Sequence, residues 1–174
     1  MNNKYITNLI EAAQKGHVNS FLQLTDVYVG NVYAICLRVF VNTKIAERVT
    51  VEVLNHAWQN LKHLRGNSSF QLWLNGITVF YVLEEHRTGK YSAELIEKKI
   101  ITNNAPDLSN IKPTSHLEKL VLELPDEERI MYVLHEIIGY SATEISDLLA
   151  KYRPDEILNI IRSIRNHFIE ELNF

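Results

Sequence analysis

The sequence predicts an all-α chain in two helical parts, and three observations lead there. Apolar residues recur every three or four positions through most of the 174 residues, the spacing of amphipathic helices, while strand-like alternation is scarce. Glycine and proline punctuate these repeats. One long interruption, Thr102 to Thr114, combines Pro106 and Pro113 with several Asn, Asp and Ser residues, has no sustained period, and reads as a connection between parts.

The first helix runs from about Lys4 to Lys15 and stops at Gly16, a residue that accepts the left-handed conformation at a helix end. The second, about Asn19 to Phe40, aligns Phe21, Leu24, Tyr28, Val32, Ile35 and Val39 in a stripe that a neighbouring helix must cover. Asn42 and Thr43 are caps for a third helix reaching about Leu64, with Ile45, Val49, Val53, Ala57 and Leu61 every four residues. Ser68 followed by Gln71 is a capping-box pattern before a fourth helix, Ser69 to about Arg87, that turns Phe70, Trp73, Leu74 and Ile77 inward. These four helices make one antiparallel bundle over residues 1–90. Residues 91–116 read as a linker that begins with a short helix from Ser92 to Ile101.

Residues 117–174 make the second part. Leu117 to Leu124 is a short helix, Pro125 opens the next at its first turn, and that one ends near Gly139. Ser141 with Glu144 forms a second capping-box pattern, opening a helix to about Ala150, and Pro154 opens the last. Helix, glycine turn, short helix, tight turn and terminal helix is the layout of a helix-turn-helix unit.

A hydrophobic share of 46% and a charged share of 22% suit a packed globular protein. No window approaches the roughly 18 uninterrupted apolar residues of a membrane span, and the polar start lacks the apolar core of a secretory signal, so a cytoplasmic protein without a membrane partner is expected. Cys36, the single cysteine, excludes an internal disulfide and a Cys-based zinc site, and reads as a small buried apolar residue. The net charge of −3 is unevenly spread. Residues 1–90 hold nine Lys/Arg against six Asp/Glu, residues 91–116 three against three, and residues 117–174 six against twelve.

The stretch Ala46-Glu47-Arg48-Val49-Thr50-Val51-Glu52-Val53-Leu54-Asn55-His56-Ala57-Trp58, then Arg65-Gly66-Asn67-Ser68-Ser69-Phe70-Gln71-Leu72-Trp73-Leu74, resembles the second conserved region of sigma factors of the sigma-70 superfamily. Leu124-Pro125-Asp126-Glu127-Glu128-Arg129, Gly139-Tyr140-Ser141 and Glu144-Ile145-Ser146-Asp147-Leu148-Leu149 resemble the fourth, the helix-turn-helix. Their order and separation are those of the short extracytoplasmic-function (ECF) group. The resemblance implies a factor that binds core RNA polymerase, directs transcription initiation at promoter DNA and can be restrained by an anti-sigma partner. It implies that the third helix docks on a coiled-coil of the polymerase's largest subunit through Glu47, Glu52, Asn55 and Trp58. Periodicity separately leaves Glu52, Asn55, His56 and Gln59 off the apolar stripe, where an ordinary solvated face is the other reading; Trp58 and Trp73 read first as core.

The resemblance also implies that the end of the fourth helix separates promoter strands, with aromatics stacking on an unstacked base and cations holding phosphates. Phe80 and Tyr81 are the stacking candidates, although the amphipathic pattern favours placing them in the core, and Arg87 and Lys90 are the phosphate contacts. Where relatives carry an Arg-Asn pair and then a basic run, this chain reads Thr78-Val79-Phe80-Tyr81-Val82-Leu83-Glu84-Glu85-His86-Arg87-Thr88-Gly89-Lys90, and Glu84 and Glu85 would repel phosphate. In the last helix Asp155 and Glu156 make an acidic first turn suited to the helix dipole. Asn159, Arg162, Ser163 and Arg165 remain as groove readers, with Lys151 and Arg153 in the preceding loop. These replacements, with apolar Leu158 and Ile160, leave open an alternative: a sigma-like interaction protein or mimic that has lost DNA reading and binds polymerase or an anti-sigma factor.

There is no His-Glu-x-x-His, no glycine-rich phosphate loop and no nucleophile elbow, and in Glu84-Glu85-His86 adjacent side chains diverge. Neither enzyme activity nor a cofactor, metal or small-molecule substrate is expected.

Overall fold

A computed structural model describes residues 3–65 and 69–172, all of its regular elements helical. In order these are α1 (Asn3–Gln14), α2 (Val18–Phe40), α3 (Thr43–Asn60), α4 (Phe70–Thr88), α5 (Lys90–Glu97), α6 (His116–Glu123), α7 (Asp126–Tyr132), α8 (Ala142–Leu149) and α9 (Pro154–Leu172). None of the described helices is long and apolar enough to cross a membrane. Two compact units form: Met1–Cys36 with Lys44–Asn104, and Leu37–Thr43 with Ala105–Phe174.

The first unit buries the stripes read from the sequence. Phe21, Leu24, Val32 and Ile35 of α2 are inside, as are Ile45, Val49, Val53, Ala57 and then Leu61 of α3 and its terminal turn, and Phe70, Leu74 and Ile77 of α4. Gly16, with φ 91°, ends α1, and the Gln14 side-chain amide donates to the Leu61 and Leu64 carbonyls at 3.1 and 2.8 Å, tying α1 to the end of α3. Trp58 and Trp73 are half-buried, their rings 5.0 Å from Phe21 and 5.7 Å from Phe70. Cys36 is buried, and desolvation pushes its thiol up to about 12. The Ser68–Gln71 capping pattern lies outside the described residues; Ser69 precedes α4 without a side-chain cap.

The helix expected from Ser92 to Ile101 instead spans Lys90–Glu97. Gly89, with φ 59°, ends α4 in a left-handed turn and leads directly into α5. The Glu85 carboxylate accepts the Tyr91 and Ser92 amides at 2.7 and 2.8 Å, together with the Ser92 hydroxyl. A carboxylate on the first amides of a helix satisfies orphan donors and suits the positive end of the dipole, so the helix starts earlier than its apolar pattern.

In the second unit α7, α8 and α9 enclose Ile130, Met131, Leu134, Ile145, Ile157, Ile161, Ile164 and Phe168. Val41, Ile111 and Leu122 form a further apolar cluster, with Leu37 against it. Arg129 is 2% exposed. Its Nε and Nη2 donate to the Val39 carbonyl at 3.1 and 3.0 Å, its Nη1 donates to the Leu124 carbonyl, and Asp126 pairs with it. Burial pulls its pKa down while Asp126 opposes the shift, and a guanidinium stays charged under that load. Pro125 precedes α7 as its cap, one place earlier than the first-turn position expected of it.

The helix-turn-helix turns follow their sequence signals. α7 continues as a π-helical turn, Val133–Ile138, ending at Gly139 with φ 93°. The His135 Nδ1–H donates to the Tyr140 carbonyl at 2.8 Å across that turn. Ser141 and Glu144 form the expected capping box on α8. Between α8 and α9, Ala150 takes the left-handed conformation at φ 53° and the Ser146 hydroxyl donates to the Tyr152 carbonyl at 2.7 Å.

Candidate functional site

On α3 the apolar face is spent on the bundle, which leaves Val51, Asn55 and Gln59 exposed and Glu52 and His56 half-buried. Of the four docking candidates, Asn55 is the one both exposed and without an internal side-chain bond among the described residues. Glu47 is exposed and pairs with Lys44 at 3.0 Å. Glu52 is drawn to Arg48, which also reaches Glu94 at 3.2 Å and lies 5.0 Å over the Tyr91 ring, so these charges fasten α5 to α3. Burial opposes the charge on Arg48, but its two carboxylates outweigh it and hold the guanidinium pKa up. Trp58 packs on Phe21, its ring centroid 5.0 Å away.

The end of α4 differs from expectation at two places. Phe80, favoured as a core residue, is 53% exposed, because Thr78, Val79, Val82, Leu83 and Glu85 take the inward positions. Tyr81 is half-buried, hydrogen-bonded to His56 Nδ1 at 3.2 Å and edge-on to Phe80 with centroids 5.3 Å apart. Burial, then Glu52 and Glu84, raise the Tyr81 pKa. Glu85, read as a surface charge repelling phosphate, is 3% exposed and caps α5. Glu84 does face outward and sits 3.9 Å from Arg87. Arg87 Nε also donates to the Leu83 carbonyl, and Lys90 lies 5.1 Å over the Tyr91 ring.

In the second unit Asn159, Arg162, Ser163 and Arg165 are exposed on α9, as are Lys151 and Arg153 before it. Their charges are engaged. Lys151 pairs with Glu127 at 2.5 Å, and the Tyr152 hydroxyl donates to the same carboxylate. Arg153 pairs with Asp155 at 3.3 Å and Glu156 at 3.5 Å, while Glu156 also accepts the Arg153 amide at 2.8 Å. Arg165 pairs with Glu136 at 2.6 Å. Arg162 donates to a neutral partner, the Asn159 side-chain carbonyl, at 3.3 Å. Leu158 stands exposed beside them.

Sequence reasoning missed an open cleft of about 400 Å³ on the first unit, lined by His56, Leu72, Trp73, Gly76, Ile77 and Phe80. Its signal lay in the composition of α4: no charged residue occurs from Ser69 to Leu83.

No family model matches the chain. It is 23% identical over 158 residues to the ECF RNA polymerase sigma factor SigW of Bacillus subtilis (strain 168), a match covering 83% of this chain and 84% of that one. Its fold is similar to CnrH, solved in complex with the cytosolic domain of CnrY, with 18% identity, a TM-score of 0.55 and 97% of both chains covered. It is also similar to the sigma factor RpoE of Bartonella quintana, solved with the anti-sigma factor NepR, with 17% identity, a TM-score of 0.57, and 88% of this chain and 96% of that one covered. The similarity to SigW runs through both helical units, and the fold is that of the two solved structures.

Proposed function

We propose that the chain is a cytoplasmic sigma factor that binds core RNA polymerase through α3 and engages promoter DNA as part of that complex. The observation that supports it most is homology to a sigma factor across both units. Asn55, exposed and uncommitted, is the centre of the docking face, with Glu52 held beside it by Arg48 and Glu47 on the same helix. Dependence on polymerase follows from the ion pairs of the helix-turn-helix: Lys151, Arg153 and Arg165 must leave a carboxylate to meet a phosphate, which removes most of the gain of a free cation. An anti-sigma protein is a further partner on this reading, since both structural relatives were solved with a second protein.

The same ion pairs, with exposed Phe80 and Leu158, favour a second reading, an interaction protein that retains the fold and occupies polymerase or an anti-sigma factor without reading DNA. Core polymerase of the same organism, assembled with the purified chain and offered its own genomic promoters, separates the two. Specific transcripts that fall about tenfold with Asn55→Ala are the expected result, a loss typical of a central interface residue. Stable polymerase binding with no initiation selects the second reading. Absence of polymerase binding overturns the first and leaves, of the second, only the capture of an anti-sigma factor.

A further inference from the structure

The first turns of α9 (Pro154–Leu172) bring three side chains together on the face opposite its core. Ile157, Ile161 and Ile164 are buried, so Leu158, Asn159 and Arg162 turn outward, Leu158 46% exposed. Residues three and four apart are surface neighbours on a helix, so Arg162 adjoins both Leu158 and Asn159 and the three make one contiguous patch. Arg162 Nη1 donates to the Asn159 side-chain carbonyl at 3.3 Å. A guanidinium only donates, so that bond fixes which end of the Asn159 amide faces Arg162: the carbonyl turns in and the NH2 turns away. The patch offers an outside partner N–H donors from Arg162 and Asn159 and an apolar surface from Leu158. The carboxylates just before it are engaged, Asp155 with Arg153 at 3.3 Å and Glu156 with the Arg153 amide at 2.8 Å. The Ser163 hydroxyl beside it turns to donate or accept.

Base edges in the major groove answer that patch differently. Guanine shows two acceptors, N7 and O6, and thymine an acceptor, O4, beside a methyl group. Adenine sets its N6 donor next to N7, and cytosine shows only the N4 donor, so both put N–H against N–H. Donors with an apolar neighbour therefore fit the keto bases. Leu158 is isolated as a large exposed apolar residue on α9: among the described residues the next along the helix is Ile169, eleven positions on. A protein contact needs a wider apolar area, whereas one thymine methyl is what a single leucine can cover. We propose that Leu158, Asn159 and Arg162 select keto bases in the promoter major groove, guanine at Arg162 and thymine at Leu158, with Asn159 orienting the guanidinium and donating beside it. Side chains four apart on a helix lie about 5–6 Å from each other and bases step by about 3.4 Å, so the two bases are one or two steps apart. This selectivity rests on the sigma-factor reading and adds to it the class of base that the last helix takes.

The test is transcription by core polymerase of the same organism loaded with the full chain, on its own promoters with the upstream DNA randomised in short blocks, the productive templates being sequenced. Guanine is expected at the position where Arg162→Ala loses selectivity, and thymine within two steps of it where Leu158→Ala does. Asn159→Ala should blunt the guanine preference and leave thymine intact. Deoxyuridine in place of that thymine removes only the methyl and should lower initiation about fourfold with the parent chain and not at all with Leu158→Ala. 7-Deazaguanine removes only N7 and should cost the parent about tenfold, and Arg162→Ala almost nothing. Adenine or cytosine at those positions, or a promoter choice unchanged in both variants, would overturn the keto-base selectivity and leave the sigma factor standing. Equal use of thymine and deoxyuridine, with Leu158→Ala instead abolishing capture of a second protein, would assign Leu158 to that protein and overturn its base. No transcript from any promoter with the parent chain removes the sigma-factor reading and this selectivity with it.

Discussion

Replacing Glu85 with glutamine should destabilise the protein by about 3 kcal/mol, although the residue touches no part of either proposed binding face. The carboxylate is 3% exposed and accepts three donors, the Tyr91 amide at 2.7 Å, the Ser92 amide at 2.8 Å and the Ser92 hydroxyl. A glutamine oxygen can keep the two Ser92 donors, but its NH2 then faces the Tyr91 N–H, leaving a buried donor unmet at about 1–3 kcal/mol. Loss of the charge from the α5 N-terminus adds about 0.3–1 kcal/mol. For a chain of this length, each kcal/mol moves Tm by about 2–4 °C, so a fall of about 6–12 °C is expected. Glu85→Ala strips all three donors and should exceed it. Glu84→Gln, next along but paired with Arg87 at the surface, should stay within about 0.5 kcal/mol. Thermal unfolding followed by circular dichroism gives the Tm, and hydrogen exchange at the Tyr91 and Ser92 amides localises the loss. A Glu85→Gln chain that melts with the parent and keeps both amides protected would refute the cap and return Glu85 to the surface role its neighbours suggest.

Removing the carboxylates that hold the helix-turn-helix cations should expose them to DNA: Glu127→Ala with Glu136→Ala frees Lys151 and Arg165 and should steepen the log–log salt dependence of duplex binding by about 2, measured by fluorescence anisotropy. Cys36 should resist thiol reagents in the native state. Its thiol, ordinarily near 9, is pushed to about 12 by burial, so between those values the unfolded chain holds fewer protons and stability falls as pH rises; Cys36→Ala should flatten that alkaline limb in denaturant titrations. Arg129→Leu should cost about 2–4 kcal/mol in urea unfolding, because the Val39 and Leu124 carbonyls lose their donors inside the second unit.

The sequence made helices legible wherever an apolar period met a local stop signal. The stripe from Ile45 to Leu61 is buried throughout, and the Ser141–Glu144 box formed because a cap depends on residues three apart. Side chains whose role depends on a neighbouring helix were illegible. Glu85 looks like a surface acid until α5 starts five residues later and offers it amides. Phe80 looks like core because aromatics in amphipathic helices usually are, and only the inward rotation of Val79, Val82 and Leu83 shows it outside. The cations before and on α9 were recognised as cations; that Glu127 and Glu136 hold two of them required the packing of α7 beside α9 and its loop.

Those ion pairs change what a helix-turn-helix of this kind can do alone. A free lysine or arginine gains affinity by releasing condensed counterions from DNA. A cation already held by Glu127, Glu136 or Asp155 exchanges one anion for another and leaves the carboxylate to repel the backbone. Non-specific affinity for the free chain then falls at or below the weak end of the usual range, a Kd of about 10⁻⁴ M. On the proposed reading, polymerase would present the promoter at an effective concentration of order millimolar, enough to occupy a site with a Kd of about 10⁻³ M. Arg162, Asn159 and Ser163, exposed on α9 and held by no carboxylate among the described residues, can then discriminate among bases without having supplied the attraction. On that reading weak intrinsic attraction is compatible with selective initiation, and it would keep the unassembled chain off the large excess of competing DNA.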